Sequence, residues 1–233
     1  MRALILAAGR GTRLGLAHDA PKCLATVGDR VLLDRYLDAL GALGLPVTIV
    51  VGHRADLIRA HVDAREAPPT LLDNARYTEG SVVSLATGLD VVDGDVLLLD
   101  GDVAFDPTLL ARLVHAEGPD ALLVDVGTVF TDEQYMAGID GARVRALRRG
   151  PADGYETQGE WVGFAKLSAA SVRRLRHAIL TQIAQGETAG GYEDALARML
   201  ADTMVVAVPT DGAPWVEIDF PDDLAKARAM FGG

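Results

Sequence analysis

Apolar residues along this chain follow two alternating rhythms. Residues 2–7 (RALILA) are a nearly unbroken apolar run of strand length, the pattern of a strand covered on both faces. Residues 31–43 then place Leu32, Leu33, Tyr36, Leu37, Leu40 and Leu43 at helical spacing. Pro46 opens a second strand, Val47-Thr48-Ile49-Val50-Val51, which Gly52 closes. Helical spacing returns over 54–65 and near 81–90, 107–116, 168–185, 192–201 and 221–231. Strand-length runs recur at 70–73, 95–99, 121–126, 143–147, 161–167, 204–208 and 215–218. Strand and helix alternating over short connections predict βαβ units, hence an α/β sandwich with a mostly parallel central sheet and helices on both faces. Over 127–163 the periodicity fades and glycines crowd in. That region is expected to be an insertion, partly antiparallel, walling a cleft within a single domain spanning 1–233. No repeat of domain-building length is visible.

Composition narrows the functions. The chain has 233 residues, 49% of them hydrophobic, enough for a sizeable core. Lys plus Arg number 22 and Asp plus Glu 33, a formal charge of −11. Such an excess of acid argues against a nucleic-acid partner, whose backbone demands clustered cations. The apolar runs fall well short of the ~20 residues that span a bilayer, so no membrane partner is expected. The first run is too short to read as a secretory leader. The single cysteine, Cys23, rules out a disulfide framework. A cytoplasmic location is the expectation.

The strongest local signal follows the first strand: Leu6-Ala7-Ala8-Gly9-Arg10-Gly11-Thr12-Arg13-Leu14-Gly15, with Pro21-Lys22 downstream. A Rossmann fingerprint needs G-x-G-x-x-G, and the third glycine here lies one residue too far. A P-loop ends in Gly-Lys-Ser/Thr, and no such triplet occurs. A surface loop of solvated arginines is the plain alternative. The remaining reading is an open loop whose glycine amides wrap a triphosphate while Arg10, Arg13 and Lys22 hold its charge. Three cations this close are out of character in so acidic a chain, and a triphosphate would require them.

The segment LAAGRGTRLG with PK downstream resembles the nucleotidyltransferases of the nucleoside-diphospho-sugar pyrophosphorylase superfamily. The resemblance implies a GT-A-like fold and transfer of a nucleoside monophosphate from an NTP to an acceptor oxyanion, with pyrophosphate released. It implies contacts to the nucleotide from Leu6, Ala7, Ala8, Gly9, Arg10, Gly11 and Thr12, with Arg13 and Lys22 as the catalytic cations.

Two separated segments offer acids. Residues 96–102 (VLLLDGD) deliver Asp100 and Asp102 to a strand's C-terminal end, where open α/β sheets bind ligands. In Trp215-Val216-Glu217-Ile218-Asp219, strand alternation puts Glu217 and Asp219 on one face. A hard cation such as Mg²⁺ suits carboxylates from two strand ends. Helix capping competes, since Asp219 shortly precedes Pro221 and Asp106 precedes Pro107. The family likeness makes Asp102 and Asp219 the Mg²⁺ ligands. The Glu-Ile-Asp arrangement resembles the phosphocholine cytidylyltransferase branch and adds Glu217, leaving Asp100 a supporting nucleotide-side role.

Asn74, and Gly80-Ser81 opening a helix, resemble the base-binding segment of choline- and phosphonate-linked cytidylyltransferases, which points to CTP. Ser81 reads equally as a helix N-cap. Gly159-Glu160-Trp161-Val162-Gly163 and Gly191-Tyr192-Glu193-Asp194 resemble acceptor-side segments of that branch, which implies Glu160, Tyr192 and Asp194 at the acceptor. Arg143, Arg145, Arg148 and Arg149 read as the solvated face of a strand. His18 and His53 lie near the expected ligand, and no histidine pair has helical metal spacing. The expected function is Mg²⁺-dependent transfer of CMP from CTP to a small phosphate or phosphonate acceptor. A sugar-1-phosphate or polyol-phosphate nucleotidyltransferase and a non-catalytic nucleotide-binding module are the alternatives.

Overall fold

The computed structural model describes residues 1–15, 19–128 and 134–232. In chain order the elements are β1 (Arg2–Ala7), β2 (Thr26–Val27), β3 (Arg30–Val31), α1 (Leu32–Ala42), β4 (Val47–Val51), α2 (Ala55–Val62), β5 (Thr70–Asp73), α3 (Ser81–Val91), β6 (Val96–Asp100), β7 (Val103–Phe105) and α4 (Thr108–His115). There follow β8 (Ala121–Asp125), β9 (Tyr135–Asp140), β10 (Arg143–Arg149), β11 (Thr157–Leu167), α5 (Ala169–Ala184), α6 (Glu193–Leu200), β12 (Val206–Pro209), β13 (Trp215–Glu217) and α7 (Pro221–Phe231).

Nine strands form the main sheet, in the order β5-β4-β1-β6-β11-β8-β12-β10-β9. The first four run parallel, with Ile5 opposite both Ile49 and Leu99. From β11 onward the ladders are antiparallel except β8 with β12, so the α/β architecture is as expected and the sheet is mixed. Strand alternation sorts the core into two layers. Ala3, Ile5, Ile49 and Leu97 face α1, α2, α4 and α7, while Leu4, Val50 and Leu98 face α3, α5 and α6. The three-layer sandwich follows directly. Over 127–163 the chain supplies β9, β10 and the first half of β11, which pairs with β9 through Thr157–Glu160. Residues 129–133 of that region lie outside the described part.

Two small pieces of the fold position the site. Strand β13 pairs antiparallel with the three-residue β7, setting Glu217 opposite Val103, and the Ile218 amide donates to the Asp102 carbonyl at 2.9 Å. Beneath them the fully buried Tyr36 donates its hydroxyl to the Asp100 carbonyl (2.6 Å) and accepts from the Val103 amide (3.1 Å). One side chain thus satisfies the backbone groups freed where β6 ends and β7 begins. Its ring packs edge-on against Phe105 at 4.8 Å.

Candidate active site

The loop after β1 passes over the stem of Lys22. At Gly11 the backbone has φ +57°, and a Cβ there would lie 2.7 Å from Lys22 Cγ. Only glycine accommodates both the left-handed conformation and that approach. Lys22 opens a short 3-10 turn, Lys22–Leu24, that points its side chain into the cleft. The ammonium donates to Asp102 Oδ2 (2.8 Å) and also to Asp219 Oδ1, and Arg13 donates to Asp219 Oδ2 (2.7 Å). Burial would depress the Lys22 pKa, but Asp102 and Asp219 outweigh it and hold the ammonium above the ordinary lysine range.

Asp102, Glu217 and Asp219 each offer an oxygen within 4.8 Å of the others. Glu217 is pushed up to about 8, first by burial and then by the charges of Asp102 and Asp219. Three converging carboxyl groups, set against Lys22 and Arg13, offer oxygen ligands of the kind a hard divalent cation takes. The capping role falls elsewhere: Asp223 accepts from the amides of Asp219 and Phe220 at 3.1 and 2.7 Å, leaving the Asp219 carboxylate for the cleft. Asp106 caps α4 through the Thr108 amide, 2.8 Å away.

Two chambers meet at these acids. The smaller, about 470 Å³, is lined by Leu6, Ala8, Gly9, Gly80, Ser81 and Ser84. Ala7, Gly11 and Thr12 line its continuation along the glycine loop. Arg10 is exposed there and forms no ion pair among the described residues. The larger chamber, about 810 Å³, opens toward Glu160, Trp161, Tyr135 and Arg149. Arg13, Asp100, Glu193, Glu217 and Asp219 border both.

Several residues do something different from what their motif suggests. Asn74 is buried and lines neither chamber; its amide donates to Ser84 Oγ (3.0 Å), and Ser84 reaches the cavity. Ser81 is the first helical residue after Gly80, and its hydroxyl accepts the Tyr192 amide at 3.1 Å rather than capping α3. Tyr192 spends its own hydroxyl on Asp100, at 2.8 and 2.9 Å from the two carboxylate oxygens. Burial, then the charge of Asp102, raises Asp100 well above the usual carboxylate range. Asp194 is exposed and lines neither chamber, because one residue turns a helix by about 100°. Glu193, its neighbour, takes the wall position. Glu160 is buried, raised by desolvation and hydrogen-bonded by Thr128 and Gln134. Of the four β10 arginines, Arg149 reaches the larger chamber. His53 meets Asp19 at 2.8 Å, and His18 lies outside the described residues. Ser84, in the Ser81-x-x-Ser84-Leu85 segment, and Glu193, in the Gly191–Asp194 segment, belong to motifs of the family likeness without an assigned role of their own, and the role of Tyr36 carries no sequence signal.

A sandwich of this topology, with a glycine loop at the end of β1 and acids at the ends of β6 and β13, is the frame of a nucleotide-handling transferase. Residues 3–178 match the MobA-like NTP transferase domain, and the chain belongs to that family. The expected likeness to nucleotidyltransferases is borne out. Across 99% of its length the chain is 30% identical to a bifunctional IPC transferase and DIPP synthase of Rubrobacter xylanophilus, covering 52% of that protein. It is 28% identical, again over 99%, to a CMP-5'-(3-aminopropyl)phosphonate synthase of Streptomyces rubellomurinus, covering 39%. The chain thus spans about half the length of these curated relatives, or less. In fold it is similar to the inositol-1-phosphate CTP transferase of T. maritima, at TM-score 0.78 and 20% identity, covering 99% of this chain and 94% of that one. It is also similar to the CTP:phosphocholine cytidylyltransferase of Streptococcus pneumoniae, at TM-score 0.75 and 19% identity, covering 98% of each chain. No described helix is long and apolar enough to cross a membrane.

Proposed function

We propose that this chain transfers CMP from CTP to a small phosphate or phosphonate acceptor and releases pyrophosphate, with Mg²⁺ as cofactor. The observation that carries the reading is Lys22, whose ammonium bridges Asp102 and Asp219 where the glycine loop meets the metal-competent acids. Relatives whose names specify CMP and CTP chemistry support cytidine over other bases. In this reading the cytosine lies against Gly80, Ser81 and Ser84, and the polyphosphate along the amides of Gly9–Thr12. Arg10, which has no partner of its own among the described residues, is free to meet phosphate. An acceptor oxygen attacks the α-phosphorus in line; the new P–O bond forms as the bond to pyrophosphate breaks and takes the electron pair. That oxygen is already anionic at neutral pH, so no strong general base is required. Lys22 and Arg13 hold the two anions together and neutralise charge as it develops. Mg²⁺ bound by Asp102, Glu217 and Asp219 would supply further charge neutralisation on the polyphosphate. Lys22 is the group of this chain that competes with a metal for two of those carboxylates. The test is pyrophosphate release from each NTP with Mg²⁺ and a panel of phosphate and phosphonate acceptors. CTP should be preferred, and silence with every NTP and acceptor overturns the proposal.

A further inference from the structure

The turn after β4 touches the glycine loop at both of its ends. Gly52 and His53 follow the last residue of that strand. The His53 amide donates to the Ala8 carbonyl at 3.0 Å, where the loop leaves β1. The ring reaches the far end, with Nε2 2.8 Å from Asp19 Oδ2 and 3.2 Å from the Asp19 carbonyl. A carbonyl and an ionised carboxylate only accept, so Nε2 carries a proton and donates to them. Lys22 lies three positions beyond Asp19. Gly52 lets the turn come this close: a Cβ there would lie 2.9 Å from the Ala8 carbonyl oxygen and 2.5 Å from Tyr77 Cβ. Tyr77 lines the smaller chamber, and its ring centroid is 6.0 Å from that of His53. His53 itself is buried, 8% exposed, and borders neither chamber.

A buried imidazole set back from both chambers does not touch substrate. What it can do is hold backbone. Asp19 has φ +58°, a left-handed conformation that costs a non-glycine residue energy and persists where neighbours hold it. Arg54, the next residue along, pairs with Asp56 at 3.2 Å, and the Asp19 charge acts on it as well. The donor aimed at Asp19 from the buried side is the His53 ring. Resting on the transferase reading above, we infer that His53 is a positioning residue for the nucleotide. Its amide holds the loop at Ala8 and its ring holds it at Asp19, so the Gly9–Thr12 amides and Lys22 are in place before a triphosphate arrives. The cost of ordering the loop is then met in folding rather than in binding, and nucleotide affinity rises. The amide bond to Ala8 survives any side-chain change, so substitutions at His53 read the ring's hold on Asp19.

The experiment compares wild type, His53→Phe and His53→Gln by two readouts. One is the Kd of CTP, by calorimetry with Mg²⁺ and no acceptor. The other is the rate of tryptic cleavage after Arg10 and Arg13 in the unliganded protein. Phenylalanine keeps a ring beside Tyr77 and loses the donor; glutamine keeps an N–H near the place of Nε2 and loses the ring. In His53→Phe the Kd should rise about three- to tenfold, the scale of a hydrogen bond to a half-exposed partner. Cleavage after Arg10 and Arg13 should quicken while cleavage elsewhere does not. His53→Gln should stay within about twofold of wild type in both readouts. A Kd unchanged in His53→Phe, or His53→Gln impaired as much as His53→Phe, overturns the inference while the transferase reading stands. Cleavage quickened throughout the chain assigns His53 to packing alone and overturns it too. A wild type that binds no nucleotide removes both readings together. Should His53→Phe fail to fold, Asp19→Gly accepts the left-handed turn and deletes the carboxylate; wild-type affinity for CTP in that variant overturns the inference, and a Kd raised about threefold or more supports it.

Discussion

Tyr192→Phe removes one oxygen atom from the buried seam between α6 and β6. The ring keeps its edge-on contact with Trp161 at 5.8 Å, so packing is conserved. What disappears is the hydroxyl that donates to both oxygens of Asp100, at 2.8 and 2.9 Å. Removing one partner of a buried hydrogen bond costs about 1–3 kcal/mol through the group left unsatisfied. The remaining neighbours make matters worse, since Asp102, Glu193 and Glu217 all disfavour charge on Asp100. Protonation of Asp100 caps the penalty, so a loss of about 1–3 kcal/mol is expected. At about 2–4 °C per kcal/mol for a chain of this size, Tm falls by about 2–12 °C. Scanning calorimetry at pH 7 and urea titration measure it. Asp100→Asn, placed in the Tyr192→Phe background, should cost less than it does alone, giving a coupling of about 1 kcal/mol or more. Additive effects, or a Tm unchanged within about a degree, would refute the claim that this contact joins helix to strand.

Three further outcomes are expected. Lys22→Ala should lower turnover by about 10²–10³-fold, the scale of one lost electrostatic contact to the reacting phosphate, with far-ultraviolet circular dichroism unchanged. In that variant, added Mg²⁺ should raise Tm more than in the wild type, because Asp102 and Asp219 lose their shared ammonium; an equal shift would contradict the competition between lysine and metal. Gly11→Ala forces a side chain into a left-handed backbone position and onto the Lys22 stem. It should cut kcat by an order of magnitude or more and cost about 1–3 kcal/mol of stability, as steady-state kinetics and a melting curve will show. Cys23 is buried and its thiol is pushed up to about 12, chiefly by that burial. Its folded pKa exceeds the ordinary thiol value of about 8.5, so this group's contribution to stability is intact below that pH and declines as pH rises toward 12. At pH 9 the native thiol should resist iodoacetamide while the urea-unfolded chain reacts at once; fast labelling of the native protein would contradict the burial.

Most elements were legible because each buries a face wide enough to print a period. β4 and β5 fall where the apolar runs put them, and α7 does so to the residue. The pieces that escaped are short or lean on distant partners. β7 has three residues and exists by pairing with β13; the β2–β3 hairpin has two residues a side. β9, Tyr135–Asp140, interrupts its apolar run with Gly138, where Tyr155 packs into the space a Cβ would take. The glycine loop and the acids of β6 and β13 stood out because their chemistry is contiguous in sequence. The phase of α6 did not: Tyr192, Glu193 and Asp194 are equally polar on paper, and only the packing of Ala195 and Leu196 fixes which carboxylate faces the cleft. The structural use of Asn74 and Tyr36 was illegible because each acts through a polar contact made only in the folded chain: Tyr36 with a carbonyl 64 positions on, Asn74 with a hydroxyl 10 positions on, across the turn that opens α3.

The β7–β13 ladder has a kinetic corollary. Lys22 and Asp219 are 197 positions apart, and nothing local brings them together. Long-range closures of this kind come late, after nearby segments have condensed. A chain refolding from urea should therefore regain its helical signal well before it can hold a divalent ion. Ion uptake, followed in real time, would serve as a clock for the final step of assembly.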